Sequence, residues 1–136
     1  MAIVGFDHVA IPCQEPERLL AFYRALGFGV PETEASRESG VPFFEIRFGP
    51  HKINVHAPEM WQRDSFTLRG PEARPGCGDF CFVWDAGPEA LRAALAKAGA
   101  EIIAGPVALR GARGPGTSTY VRDPEGNLLE FIVYPA

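Results

Sequence analysis

The sequence predicts an α+β fold in which a unit of one strand, one helix and several further strands occurs twice. His8 and Asp79 each lie in a strand-like segment. Roughly fifty residues after each comes a second polar residue inside an apolar strand, His56 and Glu130 respectively. A duplicated unit that directs polar side chains from both copies into one cavity has this pattern. Four residues of metal-ligating type therefore suggest a shared metal site.

The first half places one helix between strands. Phe6–Ile11 alternates well enough to form a strand with His8 and Ala10 on one face. Pro16–Leu26 has apolar residues at helical spacing, a proline in its first turn, and Gly27 as a natural stop. Further strands are predicted at Phe43–Phe48 and Lys52–Ala57, with a weaker one near Phe28–Val30.

The second half repeats this order. Asp79–Trp84 is predicted to be a strand, and Pro88–Ala98 a helix that is rich in alanine and leucine and ends at Gly99. Asp123–Asn127 supplies the proline, glycine and asparagine of a tight turn. The other predicted strands are Glu101–Ile103, Thr117–Arg122 and Leu128–Tyr134.

Both halves are thus βαβββ modules of a single domain. Module one covers about residues 1–57 and module two about residues 79–136. The stretch from 58 to 78, rich in proline and charge, is interpreted as the linker. Residues Pro106–Gly116, with three glycines and two prolines, are predicted to form a mobile loop.

Composition excludes several classes of function. The chain has 136 residues, 46% hydrophobic and 22% charged, with a net charge of −4 and no basic run, so no nucleic-acid partner is expected. No apolar stretch reaches the length that spans a bilayer, and no signal-peptide pattern is present, so we expect a cytoplasmic protein without a membrane partner. The three cysteines fit neither a disulfide framework nor a zinc motif.

Glu130 is the candidate ligand with the strongest physical argument. It lies among leucine, phenylalanine, isoleucine and valine, where an unpaired carboxylate is costly to bury, and a metal ion would compensate that cost. The other three candidates have ordinary alternatives. His8 alone is compatible with a half-buried, hydrogen-bonded side chain, His56 with a surface residue, and Asp79 with the cap of a turn.

Three sequence blocks resemble the vicinal oxygen chelate superfamily, which contains glyoxalase I, fosfomycin-resistance enzymes, bleomycin-resistance proteins and extradiol dioxygenases. The resemblance covers nearly the whole chain and is carried by Phe6–Val9, Phe22–Phe28 and, most specifically, Tyr120–Glu130. Ile53–His56 and the Gly105–Pro115 loop are most similar to the glyoxalase-domain-containing protein 5 type. The resemblance implies two βαβββ modules that form an open, U-shaped, mixed β-barrel around a divalent metal.

The resemblance also implies a ligand set. His8, His56 and Glu130 match positions that bind the metal, and Asp79 matches a fourth. The chain departs from glyoxalase I in having histidine at 56, where that enzyme has glutamate, and aspartate at 79, where it has histidine. Two imidazoles and one or two carboxylates suit Fe²⁺, Mn²⁺, Ni²⁺, Co²⁺ or Zn²⁺. Asp79 is expected either to be a ligand or to act as a general base beside the metal.

Other polar residues are candidates for the pocket. Ser118 and Tyr120 share a strand face and match positions that contact substrate in fosfomycin-resistance enzymes, and Tyr120 could donate a hydrogen bond to an oxyanion. Ordinary cross-strand pairing is the alternative for both. Arg110 and Arg113 could bind an anionic substrate, or be solvated loop charges.

These features favour a metal-dependent enzyme that acts on a small, oxygen-rich substrate. Lyase or isomerase chemistry is preferred, because four ligands leave fewer open positions than an extradiol dioxygenase needs. The alternatives are such a dioxygenase, or a metal-free binding protein of the bleomycin-resistance kind. Relatives of this kind are usually homodimers, and the modules pair either within one chain or between two.

Overall fold

A computed structural model describes residues 1–32 and 43–136 of the chain. Seven strands and three helices are present in these ranges. The strands are β1 (His8–Pro12), β2 (Phe43–Phe48), β3 (His51–His56), β4 (Asp79–Val83), β5 (Ala104–Gly111), β6 (Gly114–Arg122) and β7 (Leu128–Val133). The helices are α1 (Pro16–Leu26), the single-turn α2 (Pro58–Trp61) and α3 (Pro88–Ala98). No helix of the described residues is long and apolar enough to span a membrane.

The strands form two open, mixed sheets. The first has the order β1-β3-β2 and the second the order β4-β7-β6-β5. In each, the first strand of the module runs parallel to the last, and the remaining pairings are antiparallel. The predicted α+β class and its open sheet architecture are confirmed. Where a weak strand was predicted at Phe28–Val30, only a single bridge joins Gly29 to Arg47.

Both long helices have the predicted bounds, because their signals are local. Each begins with proline in the first turn and ends at a glycine in the left-handed region, Gly27 at φ 104° and Gly99 at φ 72°. A residue with a Cβ atom would be strained at these φ values. The buried faces of α1 and α3 lie in the same hydrophobic core.

One face of each sheet packs into this core. Side chains alternate along a strand, and the buried members are Ile11, Ile53 and Val55 in the first sheet and Phe82, Leu129 and Phe131 in the second. Phe82 joins the two modules, with its ring centroid 5.0 Å from that of Phe28 and 5.1 Å from that of Phe48. The opposite, more polar face of each sheet therefore points away from the shared core.

The prediction of a mobile loop at Pro106–Gly116 was wrong. Most of that stretch belongs to the hairpin of β5 and β6. Its glycines provide space rather than flexibility, because a Cβ on Gly116 would lie 2.8 Å from Cγ1 of Ile132 on the neighbouring strand. The prediction of a strand at Glu101–Ile103 was wrong, because β5 begins at Ala104, although the amide of Ile103 donates to the carbonyl of Tyr120.

A buried carboxylate, Asp123, holds the β6–β7 turn to the rest of the chain. Its Oδ1 accepts hydrogen bonds from the amides of Glu125 (2.9 Å) and Asn127 (3.1 Å). Its Oδ2 accepts from the Asn127 side chain and from the Tyr23 hydroxyl of α1, both at 2.8 Å. Burial and the Asp123 charge raise the pKa of Tyr23 well above its ordinary value, so Tyr23 stays a donor.

Two neighbours extend this turn network. Asn127 Oδ1 accepts from the amide of Gly78 at 2.7 Å, at the entry to β4. The Glu125 carboxylate accepts from the amides of Gln14 and Glu15 at 2.7–2.9 Å, which are otherwise unpaired donors at the start of α1. The Arg-Asp-Pro-x-Gly-Asn block is thus the structural connection between the modules.

Asp123→Ala should lower the free energy of unfolding by about 3–5 kcal/mol, because it leaves several buried donors without an acceptor. Tyr23→Phe should lower it by about 1–2 kcal/mol, since one hydrogen bond is lost with little change in packing. Urea denaturation followed by circular dichroism measures both, and Tyr134→Phe is the matched control. Equal losses for Asp123→Ala and Tyr23→Phe would mean that the bonds to the turn contribute nothing.

Candidate functional site

The polar face of the first sheet carries His8 and Asn54. Strands β1 and β3 pair with His8 opposite Lys52 and Ala10 opposite Asn54. The Nδ1 atom of His8 lies 2.6 Å from Oδ1 of Asp7. Since a carboxylate only accepts, Nδ1 carries the proton and Nε2 is left available. The hydrogen bond and charge of His8 lower the pKa of Asp7.

His56 lies at the other end of this face. It pairs with Pro12, four residues along β1 from His8, which corresponds to about 13 Å along the strand. Its ring packs edge-on against Phe66 of the linker, at 5.2 Å between centroids. Burial, and then the charge of Arg69, lower its pKa. The strand register therefore places His56 farther along this face from His8 than Asn54 is.

Comparison of the two modules identifies Asn54 as the counterpart of Glu130. In module two, Asp79 pairs with Leu128 and Cys81 with Glu130. Asn54 and Glu130 thus occupy the same place relative to the first strand of their modules. The side-chain oxygen of Asn54 is buried and has no hydrogen-bond partner among the described residues. Sequence reasoning missed Asn54 because it counted from the stronger ligand type, His56, two residues away.

Glu130 is the acceptor of a compact cluster on the second sheet. Oγ of the buried Ser118 lies 2.5 Å from Oε2 of Glu130. Burial and a hydrogen bond to Glu130 raise the pKa of Tyr120. Burial, the charge and hydrogen bond of Glu130, and then the charge of Asp79 raise the pKa of Cys81 to about 11. Glu130 is half-buried in the structure, and neighbouring donors offset the cost of that burial, which the sequence analysis expected a metal ion to compensate.

The candidate residues consequently fall into separate groups. Asp79, Ser118, Tyr120 and Glu130 belong to one cluster on the second sheet. His8 and Asn54 lie on the first sheet, and His56 packs against the linker. In the described parts of the chain, no three His, Cys, Asp or Glu side chains are arranged to hold a metal ion.

Arg113 lies away from Ser118, its predicted partner in substrate binding. It occupies the turn between β5 and β6, with its guanidinium 5.7 Å from the centroid of the Tyr134 ring. It lines a cleft between the modules to which Cys81 also contributes. The cleft is therefore the cavity that the Arg113 side chain borders.

Cys81 gives a chemical test of the cluster. At pH 8 its alkylation by iodoacetamide should be about 100-fold slower than that of an ordinary thiol, because only the thiolate reacts. Glu130→Gln should accelerate the reaction severalfold, since removing the adjacent negative charge lowers the pKa of the thiol. Peptide mass spectrometry resolves Cys81 from Cys77, and Glu101→Gln is the control. An unchanged rate in Glu130→Gln would disprove the coupling.

Comparison with known proteins agrees with this architecture. The model of the Glyoxalase/Bleomycin resistance protein/Dioxygenase superfamily matches residues 5–131. The chain is 31% identical over 134 residues to the glyoxalase domain-containing protein RDO1 of Mycosarcoma maydis, covering 98% of this chain and 70% of that protein. It is 32% identical over 135 residues to the virulence protein STM3117 of Salmonella typhimurium, covering 98% and 87%.

Solved structures extend the comparison. The crystal structure of STM3117 superposes with a TM-score of 0.82 at 31% identity, covering 99% of this chain and all of that one. Two more distant structures, both 19% identical, share the fold alone. They are a lactoylglutathione lyase from Agrobacterium tumefaciens (TM-score 0.66, 95% and 92% covered) and the antibiotic-binding protein TnmS3 from a Streptomyces species (0.71, 99% and 99%). The chain belongs to the Glyoxalase/Bleomycin resistance protein/Dioxygenase superfamily.

Proposed function

We propose that the protein is a divalent-metal-dependent enzyme whose site is assembled from two half-sites. His8 and Asn54 form one half-site, and Asp79 and Glu130 form the other. The observation that carries the proposal is the matched register of the modules, which gives each polar sheet face one donor on its first strand and one on its last. Lyase or isomerase chemistry on a small, oxygen-rich substrate is preferred.

The donor chemistry fits such an ion. An imidazole, an amide oxygen and two carboxylates suit Mn²⁺, Fe²⁺, Co²⁺, Ni²⁺ or Zn²⁺. Asp7 orients His8 in the way that carboxylates commonly orient metal-bound histidines, with Nε2 left as the ligand. The buried side-chain oxygen of Asn54 accepts no hydrogen bond from the described residues, and a metal ion would supply the missing partner.

Two cationic side chains of the described residues, Lys52 and Arg47, oppose a metal ion on this face, and the Glu45 carboxylate offsets part of their charge. Lys52 lies opposite His8 on the neighbouring strand, and its ammonium is 3.4 Å from Oε2 of Glu45. The same oxygen lies 2.7 Å from Nη2 of Arg47. This arrangement directs the lysine charge toward a carboxylate.

The residues of the second half-site supply the remaining chemistry. When bound, a divalent ion acts as a Lewis acid toward two adjacent oxygens of a substrate. Tyr120 keeps its proton, because its pKa is raised, and so is suited to donate a hydrogen bond to a developing oxyanion. Asp79 is exposed on the same face, where it can serve either as a ligand or, standing off the ion, as a general base. Ser118 holds the Glu130 carboxylate in place.

A second copy of the chain is the proposed source of the missing half. Each polar face lies on the side of its sheet opposite the shared core, and the described residues of one chain bring no three ligands together. A homodimer in which module one of one chain faces module two of the other joins the two half-sites. The fold gives each chain both halves, so such a dimer would hold two sites.

One observation favours the alternative of a metal-free, ligand-binding protein. Glu130 already has a hydrogen-bond donor in Ser118 at 2.5 Å, with Tyr120 and Cys81 beside it. A carboxylate that has such hydrogen-bond donors can be buried without a metal ion. Metal content therefore decides between the two functions.

Asn54→Ala and Glu130→Gln should each weaken binding of Mn²⁺ or Zn²⁺ at least tenfold, because each removes a proposed ligand. His56→Ala, on the same strand and face as Asn54, should leave affinity unchanged. Isothermal titration of the full chain after removal of metal by a chelator gives the affinities. Circular dichroism confirms that each variant is folded.

A loss in His56→Ala but not in Asn54→Ala would reverse the assignment of the ligand. Wild-type protein that binds neither ion above background would favour the metal-free alternative.

Mixing two inactive variants tests the assembly. His8→Ala/Asn54→Ala lacks the first half-site, and Asp79→Asn/Glu130→Gln lacks the second. If sites form between chains, a mixture refolded together should recover metal binding, because the heterodimer contains one intact site. Either variant alone should bind no metal. If sites form within one chain, the mixture should recover nothing.

A further inference from the structure

A cleft of about 660 Å³ separates the two modules on the side of the β4 edge. From module one it is lined by the end of α1 and the β2–β3 turn. From module two it is lined by β4 and by the β5–β6 turn with Arg113. This volume lies within the range of about 300–1,000 Å³ that is typical of small-molecule sites.

The floor of the cleft is aromatic. Phe28, Phe48 and Phe82 form a set of edge-to-face pairs with centroids 5.0–5.7 Å apart, and Phe131 lies 5.7 Å from Phe82. Trp84 completes the set, 6.3 Å from Phe131. The edges and faces of these rings are interlocked, so the floor is rigid and suits a flat, apolar group.

The polar groups of the cleft are cationic or neutral donors. Arg113 forms no ion pair with any carboxylate of the described residues. Nδ1 of His51 is buried and has no hydrogen-bond partner within the same ranges. Arg47 also lines the cleft, but its charge is shared with Glu45 at 2.7 Å. Among residues 1–32 and 43–136, no aspartate or glutamate lines the cleft.

We propose that this cleft binds a small organic anion with a flat apolar body, such as an aromatic carboxylate. The rings of the ligand lie on the phenylalanine floor. Its anionic group meets the Arg113 guanidinium, which can bind a carboxylate through two parallel hydrogen bonds, and accepts from Nδ1 of His51. Cys81 connects the cleft to the Glu130 cluster, because it lines the cleft and pairs with Glu130 across β4 and β7.

This binding goes beyond the proposed metal-dependent function and does not require a metal. We therefore test it in EDTA, where failure of the metal site has no influence. The probe is 1-naphthoate, and the neutral control ligand is 1-naphthalenemethanol, which has the same rings without the charge. Amide chemical shifts of the ¹⁵N-labelled full chain report both affinity and location.

We expect saturable naphthoate binding with shifts at residues 26–28, 47–51, 81–84 and 113, and weaker binding of the alcohol. Arg113→Gln should weaken naphthoate binding about tenfold and leave binding of the alcohol unchanged, because only the charged hydrogen bonds are lost. Arg110→Gln removes an equally exposed charge of the same hairpin that does not line the cleft, and should have no effect. His51→Phe, which keeps a ring, should also weaken naphthoate selectively.

Four outcomes would overturn the proposal. They are the absence of saturable binding, equal affinity for the acid and the alcohol, an equal loss in Arg110→Gln and Arg113→Gln, and shifts confined to the polar sheet faces.

Discussion

The hydrogen bonds of the Asp123 carboxylate determine how the candidate site residues of the second sheet are positioned. The carboxylate fixes the β6–β7 turn and, through Asn127, the amide of Gly78. The amide of Leu128 in turn donates to the carbonyl of Gly78, which sets the register between β4 and β7. That register places Cys81 opposite Glu130. The most family-specific block of the sequence therefore acts on the site through backbone geometry, at a distance from the chemistry.

A consequence of the shared core is that the two polar sheet faces cannot both be enclosed by the chain's own helices. Helices α1 and α3 cover one face of each sheet, and Phe82 closes the seam between them. His8 and Asn54 on one sheet, and Asp79 and Glu130 on the other, lie on the opposite faces, where the proposed metal ion and second copy would bind. The buried side-chain oxygen of Asn54 has no hydrogen-bond partner among the described residues, whereas buried polar atoms are normally paired.

The helices and the turn could be predicted because their signals are local. Pro16, Gly27 and Gly99 act within a few residues of their own positions. Strand register is a property of two segments that are distant in sequence, and the site depends on it. Choosing His56 instead of Asn54 keeps the same face of β3, but it moves the proposed metal ligand by two residues, about 7 Å along the strand.

The glycines of the β5–β6 hairpin illustrate the same limit. Sequence alone cannot distinguish a glycine that permits motion from one that admits a neighbouring side chain. Gly116 is of the second kind, because Ile132 of β7 fills the space above it. The family resemblance predicted the fold, but this packing depends on a side chain sixteen residues away.

The environment of Glu130 connects these points to function. Its apolar sequence neighbours suggested that the Glu130 carboxylate has no polar partner. Its partners lie instead on the neighbouring strands, Ser118 and Tyr120 on β6 and Cys81 on β4. A metal ligand must present lone pairs to the ion, and a carboxylate has room for about four such contacts. Ser118 uses part of that capacity, and its hydrogen bond fixes the orientation of Glu130 as an outer-sphere partner does in metal sites. The same carboxylate could instead bind a ligand that offers a donor, so one arrangement of residues is compatible with both proposed functions.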